Sequence, residues 1–257
     1  MKKLYIFAMT LFVATMGIAF TSCNDDKDQL TDSRLTYYVT LEMQGDDFIA
    51  VPLGSTYKDP GCKVVMGGED ASDRLVTEGL DAVDVNAIGF YPITYSAAND
   101  DGFSSSVSRT VCVYDPNITI DMSGVYDADM EASIYLNNGK TYADRAAYYG
   151  KTSQVSGITF EEVVPGIFYC DDLFGGWYAQ IRGYGWGYAM TGYISVDNDG
   201  NVELLDSYTP TWGDSLDYFA DGAKYDVQTK TISYKLSYAG QIYMAPVLVW
   251  VSPLPEE

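Results

Sequence analysis

Short runs in which apolar and polar residues alternate, separated by glycine, proline and aspartate, fill the chain from residue 36 onwards. Alternation with a period of two places successive side chains on opposite faces of an extended chain, so it predicts half-buried β-strands. No stretch before residue 115 shows the spacing of a long amphipathic helix. The pattern predicts a small β-sandwich over residues 35–115, with strands in 36–43, 48–57, 61–66, 74–79, 82–89, 90–98 and 107–114.

A second series of runs follows Asp115-Pro116-Asn117, a proline-containing step that we interpret as a domain boundary. Strand signals and turn residues predict a meander of about eight strands over residues 116–257. The predicted class is all-β, with the second region an antiparallel β-barrel or β-sandwich. Its expected parts are strands in 124–128, 157–164, 167–170 and 244–251, hairpins in 193–205 and 224–236, and a polar loop or short helix in 142–149.

The N-terminus carries an export signal. Three residues, Met1 to Lys3, give a basic start, and an apolar run to Phe20 is short for a membrane span. The segment 20–23, Phe-Thr-Ser-Cys, resembles a bacterial lipobox, which implies removal of residues 1–22 and a lipid on Cys23. The alternative is an ordinary signal peptide with a free cysteine.

An acidic tether is expected over residues 23–34. Its first part, Asn24 to Asp28, resembles the surface-export signal of Bacteroidetes-type lipoproteins, which implies the outer face of an outer membrane. A short acidic segment is also simply a solvated linker, because it has too little apolar surface to fold.

The charge of the chain limits its partners. The net charge is −21, and loss of residues 1–22 removes two lysines and no acid, which makes it −23. Such a charge repels phosphates, so we expect neither nucleic acid nor anionic lipid as a partner. It favours neutral or cationic ligands.

Three cysteines follow Cys23, namely Cys62, Cys112 and Cys170. An odd number permits at most one internal disulfide, and Cys62 with Cys112 is the pair to propose because both lie in the first region. The alternative is that all three are small buried apolar residues. Their spacing matches no zinc pattern, so no metal or other cofactor is expected.

The absence of histidine removes whole classes of chemistry. Without it the chain has no Ser-His-Asp or Cys-His nucleophilic site and no histidine-ligated zinc or iron. Paired carboxylates remain, and Asp171, Asp172, Asp214 and Asp217 are the candidates. Adjacent residues of one strand point to opposite faces, which argues against the first pair. We therefore expect a protein that is not an enzyme. The loop 197–201 does not fit calcium-loop spacing and predicts a hairpin turn.

The stretch 168–196 interleaves aromatic residues with glycines more densely than a plain core requires. Aromatic faces stack on sugar rings, and nearby polar groups bond the hydroxyls. We predict a carbohydrate platform of Trp177, Tyr178, Tyr184, Trp186 and Trp212, with Trp177 and Trp186 flanking a glycine-curved sheet. Its expected polar partners are Asp172, Arg182, Asp214 and Asp217. The alternative is that these rings fill a barrel whose glycines permit tight curvature.

Two segments of the first region resemble bacterial immunoglobulin-like domains of the HYR-like surface type: Val51 to Gly61, and Ala87 to Gly102 with its Tyr-Pro-Ile-Thr-Tyr strand. Residues 167–218 resemble a C-terminal domain that follows such a module in Bacteroidetes lipoproteins of unknown function. Similar lipoproteins accompany Sus-type glycan-uptake systems. The resemblance implies an immunoglobulin-like spacer and an outer-membrane uptake complex as partner.

Together these inferences predict a surface-anchored lipoprotein that binds a glycan without cleaving it. The alternative is a structural or protein-interaction subunit of a cell-envelope complex, in which the exposed aromatic residues form a protein interface.

Overall fold

The computed structural model describes residues 36–135, 139–151 and 154–256. The predicted signal peptide, Cys23 and the acidic tether lie outside these residues. The described strands form three sheets, of three, four and eleven strands, which confirms the all-β prediction. The chain divides into two compact units. One contains Asp59–Asp81, Pro92–Thr110 and the described residues before Ala50, and the other contains Ala50–Lys58, Ala82–Tyr91 and Val111–Glu257.

Seven strands form the two smaller sheets, whose orders are β1-β3-β4 and β2-β7-β6-β5. The antiparallel register of β1 and β3 pairs Leu41 with Val64. Strand β7 ends at Tyr114, so the predicted boundary at 115–117 follows the last of these strands. The seven strands are β1 Val39–Met43, β2 Phe48–Pro52, β3 Cys62–Met66, β4 Glu69–Asp70, β5 Val76–Glu78, β6 Gly89–Ala98 and β7 Ser104–Tyr114.

The strand predicted over 82–89 was wrong. This segment begins in a 3-10 turn, Leu80–Ala82, and continues as a loop up to β6. The Asp84 carboxylate accepts a hydrogen bond from the Asn86 backbone nitrogen at 2.9 Å. Such a local bond from a side chain to the backbone competes with strand pairing, and it explains why an alternating pattern did not become a strand.

Arg109 is a fully buried cation beside a small core of Val39, Val64, Ala71 and Ala97. Its Nη1 lies 2.5 Å from the Asp59 carboxylate and 3.0 Å from the Tyr95 hydroxyl. Nε donates to the Asp46 carbonyl at 2.8 Å, and Nη2 donates to the Gln44 carbonyl. Burial of a charge is tolerated only with such partners, so this network ties distant segments together.

The eleven-stranded sheet contains a closed antiparallel barrel of eight strands. Neighbours in the ring are β8, β11, β12, β13, β14, β15, β16 and β18, and β18 pairs with both β16 and β8 to close it. Strands β17, β9 and β10 continue the sheet from β16. The bounds are β8 Gly124–Ala128, β9 Ile134–Tyr135, β10 Lys140–Thr141, β11 Ile158–Val164, β12 Ile167–Cys170, β13 Thr191–Val196, β14 Asn201–Tyr208, β15 Tyr218–Asp226, β16 Thr231–Tyr238, β17 Gln241–Ala245 and β18 Val247–Ser252.

The last strand was predicted as one element, 244–251, but it is two. Pro246 separates β17 from β18, and proline has no backbone N–H for the ladder. The two parts pair with different ends of β16. Leu236 faces Met244 of β17, whereas Thr231 faces Val249 of β18. The break therefore allows β18 to close the barrel.

Alternate side chains along the barrel strands point into one core. On β16, for example, Ile232, Tyr234 and Leu236 are buried. The helix α1, Tyr142–Tyr149, adds Tyr142 and Ala146 to this core and has a capping box between Thr141 and Asp144. It confirms the short-helix alternative for this segment.

The predicted hairpin turn at 197–201 is present. The Asp197 carboxylate accepts bonds from the backbone nitrogens of Asp199 and Asn201 at 2.9 and 2.8 Å and from the Asn201 amide. Gly200 has a φ of +81°, which glycine adopts without strain. Within the described ranges, no group of three or more acidic, histidine or cysteine side chains is placed to hold a metal ion.

Cys62, Cys112 and Cys170 are free thiols, and all three are buried. The Cys62–Cys112 disulfide is therefore not formed, and the alternative of buried apolar cysteines is confirmed. Burial raises the pKa of the Cys112 thiol to about 12. Among the described helices, none is both long and apolar enough to cross a membrane.

Candidate aromatic binding surface

The aromatic-glycine stretch is mainly a long connection between two paired strands, β12 and β13. The base of this loop is closed by a hydrogen bond of 2.7 Å from the Leu173 nitrogen to the Met190 carbonyl. Within the loop lie a π-helical turn, Trp177–Ile181, and a 3-10 turn, Trp186–Tyr188. The prediction that Trp177 and Trp186 flank a curved sheet was wrong, because both lie in this loop.

Glycine fixes the path of the loop at two positions. Gly176 has a φ of +77°, and a Cβ there would lie only 2.2 Å from Val155 Cγ1. Gly192, at the start of β13, leaves room for the Asp206 carbonyl, which would be 2.5 Å from a Cβ. The glycines therefore serve close packing and a left-handed turn more than curvature of a sheet.

Asp172 anchors both ends of the loop. Its Oδ1 accepts bonds from the nitrogens of Phe174 and Met190 at 3.0 and 3.2 Å, and its Oδ2 accepts one from Gly176 at 3.0 Å. Burial raises the pKa of this carboxyl to about 7, although the backbone donors act in the opposite direction. The predicted role of Asp172 as a polar partner for ligand is corrected, because the side chain is fully buried and its oxygens are engaged.

Asp171 turns away from Asp172 and binds Thr159. Its carboxylate accepts bonds of 2.8 Å from the Thr159 nitrogen and from the Thr159 hydroxyl. Burial raises the pKa of Asp171 as well. The two adjacent acids thus hold two different segments, in line with the opposite directions expected for neighbours.

Trp177 belongs to the core rather than to a platform. Only 1% of the residue is exposed. Its ring stacks on Tyr135 with centroids 4.3 Å apart and lies 5.9 Å from Tyr142. This burial corrects the predicted position of Trp177. Its placement depends on the turn at Gly176, which the alternation pattern does not report.

Three other predicted rings are exposed: Tyr184 by 43%, Trp186 by 51% and Trp212 by 39%. Tyr178 and Tyr188 are half-buried beside them. We call these five residues the aromatic surface. The Trp212 ring meets Tyr178 at 4.7 Å and Tyr188 at 5.0 Å, both edge to face. Tyr188 was absent from the predicted platform, and its position two residues from Trp186 in the same turn was the available signal.

The loop that carries Trp212 is fixed by hydrogen bonds. The Thr211 hydroxyl donates to the Gly187 carbonyl at 2.6 Å, which joins this loop to the 3-10 turn. Asp214 accepts from the Tyr238 hydroxyl at 2.5 Å and from the Thr209 hydroxyl. The rings of the aromatic surface therefore stand on tied loops.

Asp214 and Asp217 both accept hydrogen bonds from the protein itself. Asp217 accepts from the Ser237 hydroxyl at 3.1 Å and from the Gly240 nitrogen at 2.9 Å. With the bonds to Asp214, these contacts attach the loop 209–217 to β16 and to the turn after it. The predicted contact of both carboxylates with a ligand stays a prediction, beside the positioning role that these bonds show.

Arg182 is the cation of the aromatic surface. Its guanidinium carbon lies 4.8 Å from the Tyr149 ring centre and 5.1 Å from that of Tyr184. Nη2 donates to the Tyr184 hydroxyl at 2.5 Å. Arg182, which was predicted as a polar partner of the platform, thus lies beside one of its rings.

Fold and surface define a class: an all-β protein in which a β-barrel carries exposed aromatic residues on long loops. A family model described as bacterial surface protein, Ig-like domain, matches residues 41–113. A second model, for the C-terminal domain of BT2262-like proteins, matches residues 115–248, just over half of the chain. Both predicted family resemblances are confirmed.

Among solved structures, the chain is similar to the lipoprotein BT2262 from Bacteroides thetaiotaomicron. The two are 34% identical, and the match covers 82% of this chain and 99% of that one, with a TM-score of 0.41. The chain belongs to the BT2262-like lipoprotein family, because the family model matches more than half of it. No protein with a curated description matches the chain.

Proposed function

We propose that this lipoprotein is anchored to the outer membrane, is exposed at the cell surface, and binds carbohydrate without cleaving it as an accessory of a glycan-uptake system. The observation that carries the binding proposal is the exposure of Tyr184, Trp186 and Trp212 together on tied loops. Exposed rings stack on the apolar faces of sugars. The lipobox and a Bacteroides lipoprotein relative support the anchor.

Preorganisation of the surface supports a binding role. The Thr211–Gly187 bond and the edge-to-face contacts of Trp212 hold the rings of Trp212, Tyr178 and Tyr188 before any ligand arrives. Ordering of side chains on binding costs about 0.5–1.5 kcal/mol each, so rings that are already fixed lose less affinity to this term.

Binding without cleavage fits the state of the four candidate acids. General acid–base cleavage of a glycosidic bond needs two carboxyl groups that both reach the substrate. Here Asp171, Asp172, Asp214 and Asp217 all accept hydrogen bonds from the protein itself. These hydrogen bonds support a role of the four acids in positioning loops.

A second function, recognition of a protein partner in an envelope complex, is favoured by one observation. Three ring contacts of the aromatic surface are steep, at 83° for Tyr178 with Trp212, 69° for Tyr188 with Trp212 and 63° for Tyr184 with Tyr188, whereas Tyr178 and Tyr184 are stacked at 22°. A row of coplanar rings suits a sugar chain, whereas rings at steep angles form an uneven patch of the kind found at protein interfaces.

Calorimetry of the mature chain against a panel of soluble polysaccharides tests the proposal. We expect binding to at least one polysaccharide, and about fivefold or greater weakening in Trp186→Ala and in Trp212→Ala, which corresponds to about 1 kcal/mol each. Phe103→Ala is the control, because Phe103 is an exposed ring before β7, far from this surface in sequence. Absence of binding to every polysaccharide, or binding that both tryptophan variants retain in full, refutes the proposal. Stoichiometric recovery of a membrane protein without glycan would favour the second function.

A further inference from the structure

Arg182 has no acidic partner among the described residues, although the chain has 36 acidic residues and only 15 basic ones. Within the described part of the chain, no carboxylate lies at ion-pair distance from its guanidinium. By contrast, Lys235 lies 2.8 Å from the Asp221 carboxylate. Lys224, which likewise has no carboxylate at ion-pair distance among the described residues, donates instead to the Asp199 carbonyl and to the Asn201 side chain. The cation at the aromatic surface is therefore open to an external anion.

The geometry of Arg182 suits an anion. The guanidinium is held by the Tyr149 and Tyr184 rings, and its one hydrogen bond among the described residues goes to the Tyr184 hydroxyl. A guanidinium has five N–H donors in a planar fork, and this fork matches a carboxylate or a sulfate with two parallel bonds. Most of those donors are unused here.

Lys151 brings a second cation to the same place. A Cβ built on Gly183 would lie 3.2, 3.3 and 3.4 Å from Lys151 Cδ, Cε and Nζ, so the lysine side chain runs along the backbone directly after Arg182. Lys151 is exposed. A side chain at residue 183 would require the lysine stem to move by a few tenths of an ångström.

We propose that the glycan bound by the aromatic surface is anionic and that its carboxylate or sulfate group binds Arg182, with Lys151 beside it. This inference rests on the proposed function and names the substrate class. It departs from the neutral or cationic ligand that the net charge favours. Charges farther apart than about 8 Å are largely screened at physiological ionic strength, so cations in contact with the ligand outweigh the distant acids.

The test compares matched polysaccharides by calorimetry at a fixed ionic strength of about 0.15 M. Polygalacturonate is paired with its methyl-esterified form, and dextran sulfate is paired with dextran, so each pair differs only in the anionic group. We expect the charged member of one pair to bind about tenfold tighter than its neutral mate, a difference of about 1.4 kcal/mol. The pair that responds distinguishes a carboxylate from a sulfate.

Two substitutions assign the effect. Arg182→Gln removes the preference for the charged member, and Arg182→Lys, which keeps the charge without the fork, retains part of it. Lys235→Gln is the charge-matched control at an exposed cation with a partner of its own, and it leaves the preference unchanged.

Three results overturn the inference in distinguishable ways. Equal binding of charged and neutral members that Trp186→Ala still weakens leaves the proposed function standing and removes the anionic ligand. Loss of the preference in Lys235→Gln to the same extent as in Arg182→Gln shows a general charge effect. Absence of binding to all four polysaccharides and to the wider panel refutes the proposed function together with this inference.

Discussion

Asp172→Asn should remove a large part of the pH dependence of stability between pH 4 and pH 8. The Asp172 carboxyl lies in the core at the base of the aromatic loop, and burial raises its pKa to about 7. The groups around it are Asp171 and Cys170 in its own segment, Tyr142 of α1 and Tyr234 of β16. Both hydroxyls donate to loop carbonyls, those of Phe174 and Leu173.

The direction in which stability changes with pH follows from the pKa values of Asp172 in the unfolded and folded chain. In the unfolded chain the carboxyl has its ordinary pKa of 3.8, and in the folded chain a pKa of about 7, so the folded state prefers the protonated form. The corresponding stability is fully present below pH 3.8 and is lost as the pH rises through 7. A difference of one pKa unit corresponds to about 1.4 kcal/mol, so the rise from 3.8 to about 7 changes the free energy of unfolding by about 4 kcal/mol. Asp171, whose pKa burial also raises, acts in the same direction.

Urea denaturation followed by tryptophan fluorescence at pH 4 to 8 measures this effect. The net charge of −21 also weakens the compact state as acids ionise, so the informative quantity is the difference between wild type and Asp172→Asn. We expect wild type to lose about 4 kcal/mol relative to the variant between pH 4 and pH 8. Stability curves that run parallel over this range would refute the assignment.

Asp226 serves as a control, because folding lowers its pKa whereas folding raises that of Asp172. Hydrogen bonds from the nitrogens of Thr229 and Gln228 lower the pKa of this exposed carboxyl. Its contribution is present above the unfolded pKa and is lost as the pH falls through the folded pKa. Asp226→Asn should therefore cost more stability at pH 7 than at pH 3, the reverse of the Asp172 pattern.

Two further substitutions test the packing of the loop and the buried ion pair by urea denaturation at pH 7. Gly176→Ala should cost about 2–4 kcal/mol, because it adds a steric overlap to backbone strain. Gly157→Ala, at a φ of +78° against +77° but in open space, should cost only about 1–2 kcal/mol, and equal losses would contradict the overlap. Arg109→Met should cost about 3–5 kcal/mol, because it leaves Asp59 buried without its cation. Arg74→Met, at an exposed pair, should cost less than about 1 kcal/mol, and a small loss at both sites would contradict the role of the buried pair.

Local patterns predicted the strands well, because alternation and turn chemistry act over a few residues. The hairpin around 197–201 was predictable since Asp-Gly turns between alternating runs fix both strands. The closure of the barrel could not be predicted, because it requires β18 to pair with β8, about 120 residues earlier in the sequence, as well as with β16. Pro246 did carry a signal for the split of the last strand, since a proline without an N–H interrupts a ladder.

The candidate site was predictable as a region but not ring by ring. In a loop without a regular period, the sequence does not tell a buried Trp177 from an exposed Trp186. The difference depends on the backbone turn at Gly176, which is set by contact with Val155. The role of Asp172 had a local signal, because an aspartate often accepts a bond from the nitrogen two residues on, as it does here from Phe174.

The loop between β12 and β13 contains two kinds of residue: buried residues that fix its backbone, and exposed residues that the fold does not need. Asp172, Gly176 and Trp177 are buried and determine the path of the backbone. Trp186 is half exposed. Ring contacts join the other four members of the aromatic surface to one another, but among the described residues none of these contacts includes Trp186. An exposed tryptophan contributes little to folding, and clusters of large exposed rings mark binding sites. The buried residues of this loop therefore fix the backbone that carries Trp186 and Arg182, and Trp186 is exposed to solvent, as the proposed binding role requires.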